Sequence, residues 1–386
     1  MKKALSILFA VALLLGCFSG CAGKKESDTI DVGYLVHITG DGALWGQAER
    51  DGAMIAVDEI NAAGGVLGKQ LNMIYYDGRG TSADSVNAVK KAVEQDGVVA
   101  MLGSNMSGPT IAVADICANA KVPQIASYAT NTLVTQTEDG KVRDWSFRLC
   151  FTDPYQGNII AGYAVNTLGI TNACILYDVT SDYSAGICAA IEENFVAMGG
   201  TIGAKLAFKS GDVDFRSQLT TIKELNPQAI LVPNFYKENS LIAKQAYELG
   251  MDNVTLIAGD SYSPAMFEIC PDIHDYYTVN HFDWADPALA SIKSAYTERF
   301  GNDSPELNVA MGYDMVYFIK ACIEAAGTTE PEALRKAIET ATDVELKHSM
   351  ITIDPATHDP LDKDAVILKV HEGVCSYVER YVAKKD

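Results

Sequence analysis

The chain of 386 residues is strongly acidic, with 50 acidic against 30 basic residues and a formal net charge of −20. Because nucleic-acid binding requires a basic face that displaces counterions, this balance argues against a nucleic-acid partner. The length is sufficient for about two domains of roughly 100–200 residues each.

The N-terminus predicts export. Two lysines precede an apolar run of 13 residues at positions 4–16, which is shorter than the about 20 residues that a membrane-spanning helix needs. Residues 1–16 are therefore predicted to be a signal peptide. The sequence LLGC at 14–17 resembles a bacterial lipobox, which predicts cleavage before Cys17 and its lipidation. Cys21, in FSGC, is an alternative lipidation site, and an ordinary secretory signal is a third interpretation.

This start predicts an extracytoplasmic protein, lipid-anchored at the bacterial cell surface or in the periplasm, with residues 17–28 as a tether. Beyond the two N-terminal cysteines, seven cysteines remain. They are odd in number, widely scattered and without a CxxC pair, which favours buried free thiols over a disulfide framework.

From residue 29 onward, apolar strand segments alternate with amphipathic helices. The first unit has the predicted strands IDVGYLV, LNMIYYD, VVAMLG and VPQIAS, separated by helices at 46–63, 83–95 and 109–120. The alternation of strands and helices begins again at ACILYD, with helices near 185–198, 215–225 and 240–250. Continuous apolar strands that alternate with helices are typical of parallel sheets covered on both faces.

After the second unit, helices are predicted at 287–299 and 310–327, followed by strand segments SMITID and AVILKV. This order predicts an α/β protein of two Rossmann-like lobes with several crossings between them. Residues 29–148 and 283–345 are assigned to lobe 1, and residues 149–282 and 346–386 to lobe 2.

The motifs of common enzymes are missing from the sequence. No GxGxxG follows the first strand, GGVLGK lacks the spacing of a phosphate loop, and neither HExxH nor GxSxG occurs. We therefore expect no catalytic residues, no metal and no cofactor.

Polar residues follow two neighbouring strands of the first unit. Ser104, Asn105 and Ser107 lie before a helix that Pro109 is predicted to start, and SYATNT follows the next strand. Because the carboxyl ends of parallel strands meet at one edge of the sheet, both loops are expected at the edge where ligands bind. A helix N-terminus there favours an anionic group.

The sequence as a whole resembles the leucine/isoleucine/valine-binding family, the type I solute-binding proteins of ABC transporters. The resemblance rests on successive blocks in order: GALWGQAERDGAMIAVDEINAAGGVLGKQL, VVAMLGSNMSGPTIAVADI, VPQIASYATNT, FRLCFTDPYQGN, LVPNFYKENSLIAKQAYELG and AGDSYSP. It implies a type I periplasmic-binding-protein fold, in which a three-strand hinge joins two lobes that close on a ligand.

The resemblance also implies ligand-binding residues. Ser107 and Thr130 correspond to the residues that hold the α-carboxylate and α-ammonium of an amino acid. Tyr128 would contribute its backbone carbonyl, with its ring facing the cleft. Asp260 would pair with the ammonium from the second lobe, and Tyr183 would reach the ligand across the cleft.

Three further aromatic residues, Trp45, Tyr236 and Tyr313, correspond to the lining of the family's side-chain pocket. Some relatives carry a disulfide beside this pocket, but Gly80 and Met106 occupy those positions here. A branched-chain or other hydrophobic amino acid is the first expectation for the ligand, with an aromatic amino acid as an alternative.

The predicted function is that of a monomeric, non-enzymatic receptor that delivers an amino acid to an ABC permease and its ATPase. A ligand-sensing receptor module of the same fold is one alternative. A binder of small amides or aromatic acids is the other.

Overall fold

The computed structural model describes residues 28–303, 306–347, 349–361 and 363–381. The predicted signal peptide and Cys17 lie outside the described residues. Within them, the chain forms two α/β lobes, each around its own large sheet, as the strand and helix alternation predicts. No helix in these ranges combines the length and the apolar character needed to cross a membrane.

The first lobe is built on a parallel sheet with the described strand order β2-β1-β3-β4-β5. Its elements up to residue 148 are β1 (Thr29–Val36), α1 (Ala43–Ala62), β2 (Gln70–Asp77), α2 (Ser82–Lys91), β3 (Met101–Gly103), α3 (Ser107–Ala120), β4 (Gln124–Ala126) and β5 (Ser146–Arg148). Because the strands are parallel, the ends of β3 and β4 meet at one edge of the sheet.

The second lobe has the described strand order β14-β13-β10-β9-β8-β6-β7. Its elements up to residue 280 are α4 (Asp153–Gly162), β6 (Asn172–Asp178), α5 (Asp182–Ala197), β7 (Thr201–Phe208), α6 (Arg216–Leu225), β8 (Ala229–Leu231), α7 (Tyr236–Glu248), β9 (Thr255–Ala258), α8 (Met266–Ile269) and β10 (Tyr276–Asn280). The strands β7, β6, β8, β9 and β10 are parallel.

The last third of the chain returns to the first lobe and then crosses again. Its elements are α9 (Ala290–Phe300), α10 (Asn308–Ala326), α11 (Pro331–Glu339), β11 (Val344–Glu345), β12 (Met350–Ile351), β13 (Ala365–His371) and β14 (Val374–Tyr381). Helix α10 packs on α1, while β13 pairs antiparallel with β10. Short 3-10 or π-helical turns lie at Ala92–Asp96, Thr132–Val134, Tyr163–Thr167 and Pro287–Leu289.

Helices α1 and α10 approach each other closely through two glycines. A Cβ on Gly52 would lie 1.9 Å from the carbonyl oxygen of Val309, and one on Gly312 would lie 2.0 Å from that of Glu49. Any side chain at either position would therefore collide with the backbone of the other helix. The contact fixes which face of α10 meets the first lobe.

The third crossing between the lobes occurs later than predicted. Residues 346–360 were assigned to lobe 2, but His358 bonds to the carbonyl oxygens of Arg143 and Ser146, and Asp359 pairs with Arg148. These contacts belong to lobe 1. The chain enters the second sheet only at β13, because the segment before it is held by the buried Arg148 guanidinium.

Candidate functional site

An inner cavity of about 20 Å³ lies between the lobes. Its walls are contributed by both lobes: Trp45, Asn105, Met106, Ser107, Tyr128, Asn308, Tyr183, Phe235, Asp260 and Ser261. Most of these residues follow the carboxyl ends of parallel strands, where open α/β sheets bind ligands. An outer cavity of about 290 Å³ adjoins it, and the two share Trp45, Ser107 and Tyr183.

Most of the predicted site residues lie around these cavities. The inner cavity is lined by Trp45, Ser107, Tyr128, Tyr183 and Asp260, and the outer cavity by Tyr236 as well. The ring of Trp45 makes edge-to-face contacts with two rings of the other lobe, those of Phe235 and Tyr236, at centroid distances of 5.5 Å and 5.3 Å.

Two predicted residues are not brought to a cavity wall. Thr130 is fully buried, and its hydroxyl lies beside the carboxyl of Asp153. Tyr313 lies in the contact between α10 and α1, where its hydroxyl donates to Glu59 at 2.5 Å and its ring stacks on Tyr317. Contrary to the prediction, Tyr313 does not line the pocket for the ligand's side chain, because the orientation of α10 turns it toward α1.

On the first lobe, Ser107 is the first residue of α3, two residues earlier than the predicted helix start at Pro109. The N–H groups of a first helical turn have no intrahelical partner, and the helix dipole adds positive potential there. The Ser107 hydroxyl accepts a hydrogen bond from the backbone N–H of Asn131 at 3.3 Å. This wall therefore offers hydrogen-bond donors to an anionic group.

On the second lobe, Asp260 follows β9, and its carboxyl is held on both oxygens. Gln156 Nε2 donates to Oδ1 at 3.1 Å, and the His281 ring nitrogen Nε2 lies 3.0 Å from Oδ2. The backbone N–H of Asp260 in turn donates to Gln156 Oε1 at 2.9 Å. The His281 ring stacks on Phe151 with centroids 3.8 Å apart.

A second carboxyl, that of Asp153, is buried near the first. Burial raises its pKa to about 8; the Asp260 charge adds to the rise, and the neighbouring Thr130 hydroxyl opposes it. Neither oxygen of Asp153 makes a hydrogen bond with satisfactory geometry, and the same holds for the Thr130 hydroxyl. Neither Asp153 nor Thr130 lines the inner or the outer cavity.

The remaining wall is aromatic and closes the cavity from the second lobe. The rings of Tyr183 and Phe235 are stacked at 5.3 Å with an interplanar angle of 4°. The Tyr183 hydroxyl is buried near the Asp260 carboxyl without a hydrogen bond of satisfactory geometry; burial raises its pKa well above the ordinary value, and the Asp260 charge adds to the rise.

The lobes also touch directly around the cavity. Asn131 Nδ2 donates to the carbonyl oxygen of Asp182 at 2.7 Å, and Lys237 Nζ lies 3.3 Å from Asp41 Oδ1. Each pair joins residues of different lobes. The structure is thus a closed arrangement, in which a molecule in the inner cavity is enclosed by both lobes.

Sequence reasoning missed several residues of the site: Gln156, His281 and Asp153 around Asp260, and Phe235, Ser261 and Asn308 in the wall. One signal was available, because TDPYQGN, part of the family-like block FRLCFTDPYQGN, carries both Asp153 and Gln156. Nothing local marks His281, which reaches the site from the end of β10.

Comparisons with known proteins identify a family to which this architecture corresponds. Residues 29–373 match the family described as "Periplasmic binding protein". The leucine-, isoleucine-, valine-, threonine- and alanine-binding protein of Pseudomonas aeruginosa is 27% identical over 357 residues, covering 89% of this chain and 90% of that protein.

Among solved structures, the branched-chain amino acid transporter substrate-binding protein LivJ of Streptococcus pneumoniae, in complex with isoleucine, is similar with a TM-score of 0.83. It is 28% identical, with 92% of this chain and 100% of that chain covered. A solute-binding protein of an ABC transporter from Rhodopseudomonas palustris, in complex with 3,4-dihydroxybenzoic acid, has a TM-score of 0.80 at 23% identity, covering 93% and 99%. The second likeness concerns the fold alone.

Proposed function

Because this chain belongs to the periplasmic binding protein family, we propose that it captures an amino acid between its lobes and delivers it to an ABC permease. The observation that carries the proposal is the separation of donors and acceptors across the inner cavity. Helix N–H groups and Ser107 lie on one lobe, and the Asp260 carboxyl lies on the other.

A zwitterion fits this separation. An amino acid stripped of water needs donors for its carboxylate and acceptors for its ammonium, since an unpaired buried charge is very unfavourable. Ser107 and the start of α3 would hold the carboxylate. The ammonium would bind Asp260 and the Tyr128 carbonyl, with Thr130 and Asp153 beside them.

The side chain would lie against Trp45, Met106 and Phe235, with Tyr236 closing the outer side. These apolar surfaces and the names of the relatives favour a branched-chain or similar hydrophobic amino acid. The dihydroxybenzoate complex of a more distant structure keeps aromatic acids as the competing class. The Asp260 carboxyl on the cavity wall favours the amino acid, because an aromatic acid has no ammonium to bind it.

Calorimetric titration of the purified full-length protein tests the ligand class. A panel of L-amino acids comes first, followed by the deaminated and decarboxylated analogues of the tightest ligand. We expect binding of the amino acid and at least about hundredfold weaker binding of either analogue, because each leaves one buried charged group unpaired. Tight binding of benzoate or hydroxybenzoate without any amino acid binding would overturn the proposal.

We propose that the protein is a lipid-anchored monomer outside the cytoplasm and that it catalyses no reaction. Lipidation of Cys17 is tested by metabolic labelling with a fatty acid, where Cys17→Ala should abolish incorporation and Cys21→Ala should not. The reverse pattern would assign the anchor to Cys21. Incorporation unaffected by either change would contradict the lipoprotein proposal.

Delivery to a permease is tested by uptake of the labelled ligand into cells. Loss of uptake on deletion of the gene, and its restoration by the intact gene, is the expected result. Unchanged uptake with a lost cellular response would instead favour the sensing module.

A further inference from the structure

One part of the inner cavity wall is unsuited to a purely aliphatic side chain. Asn105 is 8% exposed, and neither its Oδ1 nor its Nδ2 makes a hydrogen bond with satisfactory geometry. A methyl group on Gly42 would lie 3.7 Å from the Trp45 ring and 4.0 Å from Asn105 Oδ1. Asn105 and Trp45 both line the inner cavity, and the side chain of a bound amino acid is proposed to lie against Trp45.

A second carboxamide, Asn308, lines the same wall and leads to a buried acid. Asn308 Nδ2 lies 3.5 Å from Glu49 Oε1, while Glu49 Oε2 accepts from Tyr34 at 3.2 Å and from Ser127 at 2.9 Å. Asn105 also lies near this carboxyl without forming a proper hydrogen bond.

The Glu49 carboxyl is poorly suited to hold a cationic side chain. It is 1% exposed, and burial raises its pKa to about 7 against the opposing hydrogen bonds. Both of its oxygens are already engaged with side chains of the protein. The wall thus presents neutral hydrogen-bonding groups rather than a free charge.

We propose that this wall recognises a neutral hydrogen-bonding group, a hydroxyl or a carboxamide, on a short side chain of the amino-acid ligand. The inference rests on the proposed capture of an amino acid, but it assigns a short polar side chain to the ligand in place of the hydrophobic side chain favoured above. In an enclosed cavity, an aliphatic side chain would leave the Asn105 amide unpaired, which is costly, whereas a polar side chain would satisfy it. Trp45, Met106 and Phe235 would still contact the carbon atoms.

Two pairs of nearly isosteric amino acids test this inference on the unmodified protein. Threonine and valine differ by a hydroxyl in place of a methyl group, and asparagine and leucine by a carboxamide in place of a branched methyl pair. Calorimetric titration of the full-length protein should show at least about tenfold tighter binding of the polar member in one or both pairs.

The variant Asn105→Leu tests whether the preference for the polar amino acid arises from this wall. It should abolish or reverse the preference within the pair, while Asn158→Leu, at an exposed position whose side chain donates to Asn194, should retain it. Thermal unfolding of both variants confirms that they are folded. If Asn105→Leu does not fold, the comparison on the unmodified protein stands by itself.

The outcomes separate this inference from the proposed function. If valine binds as tightly as threonine or tighter, and leucine as tightly as asparagine or tighter, the inference is overturned while amino-acid capture stands. Absence of binding for any amino acid overturns both. A polar preference that survives in a folded Asn105→Leu variant overturns the assignment to this wall.

Discussion

The carboxyl of Asp260 and the ring of His281 are joined across 3.0 Å at the inner cavity. The two residues come from the ends of the neighbouring strands β9 and β10. With Gln156 on the other oxygen, the carboxyl is held in one orientation before any ligand arrives. This preorganisation lowers the entropic cost of binding an ammonium group.

Replacement of Asp260 by Asn should weaken amino-acid binding by about 100-fold or more, roughly 3 kcal/mol, because the buried ammonium loses its ionic partner. Calorimetry measures the loss. Asp252→Asn, at an exposed position, is the matched control and should bind as the wild type does. Near-unchanged affinity in Asp260→Asn would remove this residue from the ammonium site.

Asp153 should make the unliganded protein less stable as the pH rises. Its pKa is raised from 3.8 to about 8, so between these values the folded protein keeps a proton that the unfolded chain has released. The free energy of unfolding therefore falls with increasing pH across this window and levels off above it.

The variant Asp153→Asn removes this dependence. We expect it to unfold at a higher temperature than the wild type at pH 8.5, by at least about 1 kcal/mol in the free energy of unfolding, but with little difference at pH 4. Other raised carboxyls, such as Glu49, titrate in both proteins and cancel in the comparison. Parallel curves of stability against pH would contradict the assignment.

A bulky residue at position 108 should hold the lobes apart. A Cβ on Gly108 would lie 2.9 Å from Oδ2 of Asp182, which belongs to the other lobe. Gly108→Ala should be tolerated because that carboxyl can move, whereas Gly108→Leu should weaken ligand binding at least about tenfold by opposing closure.

Small-angle X-ray scattering with saturating ligand checks the mechanism behind the loss. Gly108→Leu should keep a larger radius of gyration than wild type and Gly108→Ala should not. Wild-type affinity and compactness in Gly108→Leu would contradict a closure contact at this position.

Gly312→Ala should destabilise the first lobe by at least about 2 kcal/mol, because its Cβ would lie 2.0 Å from the Glu49 carbonyl oxygen. Gly162→Ala is the matched control, since a Cβ there meets nothing closer than 3.9 Å. That control should be neutral or slightly stabilising, as alanine is the better helix former. Chemical denaturation measures both, and equal stabilities of the two variants would refute the close helix contact.

Much of the fold follows from local sequence pattern. Apolar strands alternating with helices predict two parallel-sheet lobes, and most predicted helices match the structure within a few residues. Helix α4 is not predicted from the sequence because seven of its ten residues are buried and only Pro154 and Asn158 are exposed, which leaves little amphipathic signal. Its Gly157 packs against Ala190, with a Cβ position only 2.6 Å away.

The resemblance to the binding-protein family, not strand topology, predicted Asp260 from the other lobe. The sequence pattern by itself determined which loops follow the carboxyl ends of parallel strands, and hence that Ser107 and Tyr128 would meet at one edge of the first sheet. Topology alone requires this, since parallel strands end at a common edge. The resemblance to the binding-protein family pointed the same way, and family membership is confirmed.

Only the tertiary structure decided which side chains complete the site. The close approach of α1 and α10 turns Tyr313 toward Glu59 and places Asn308 in the cavity wall. The pairing of β9 with β10 brings His281 to Asp260. Such orientations depend on packing between residues far apart in the chain, and no local period or spacing encodes them.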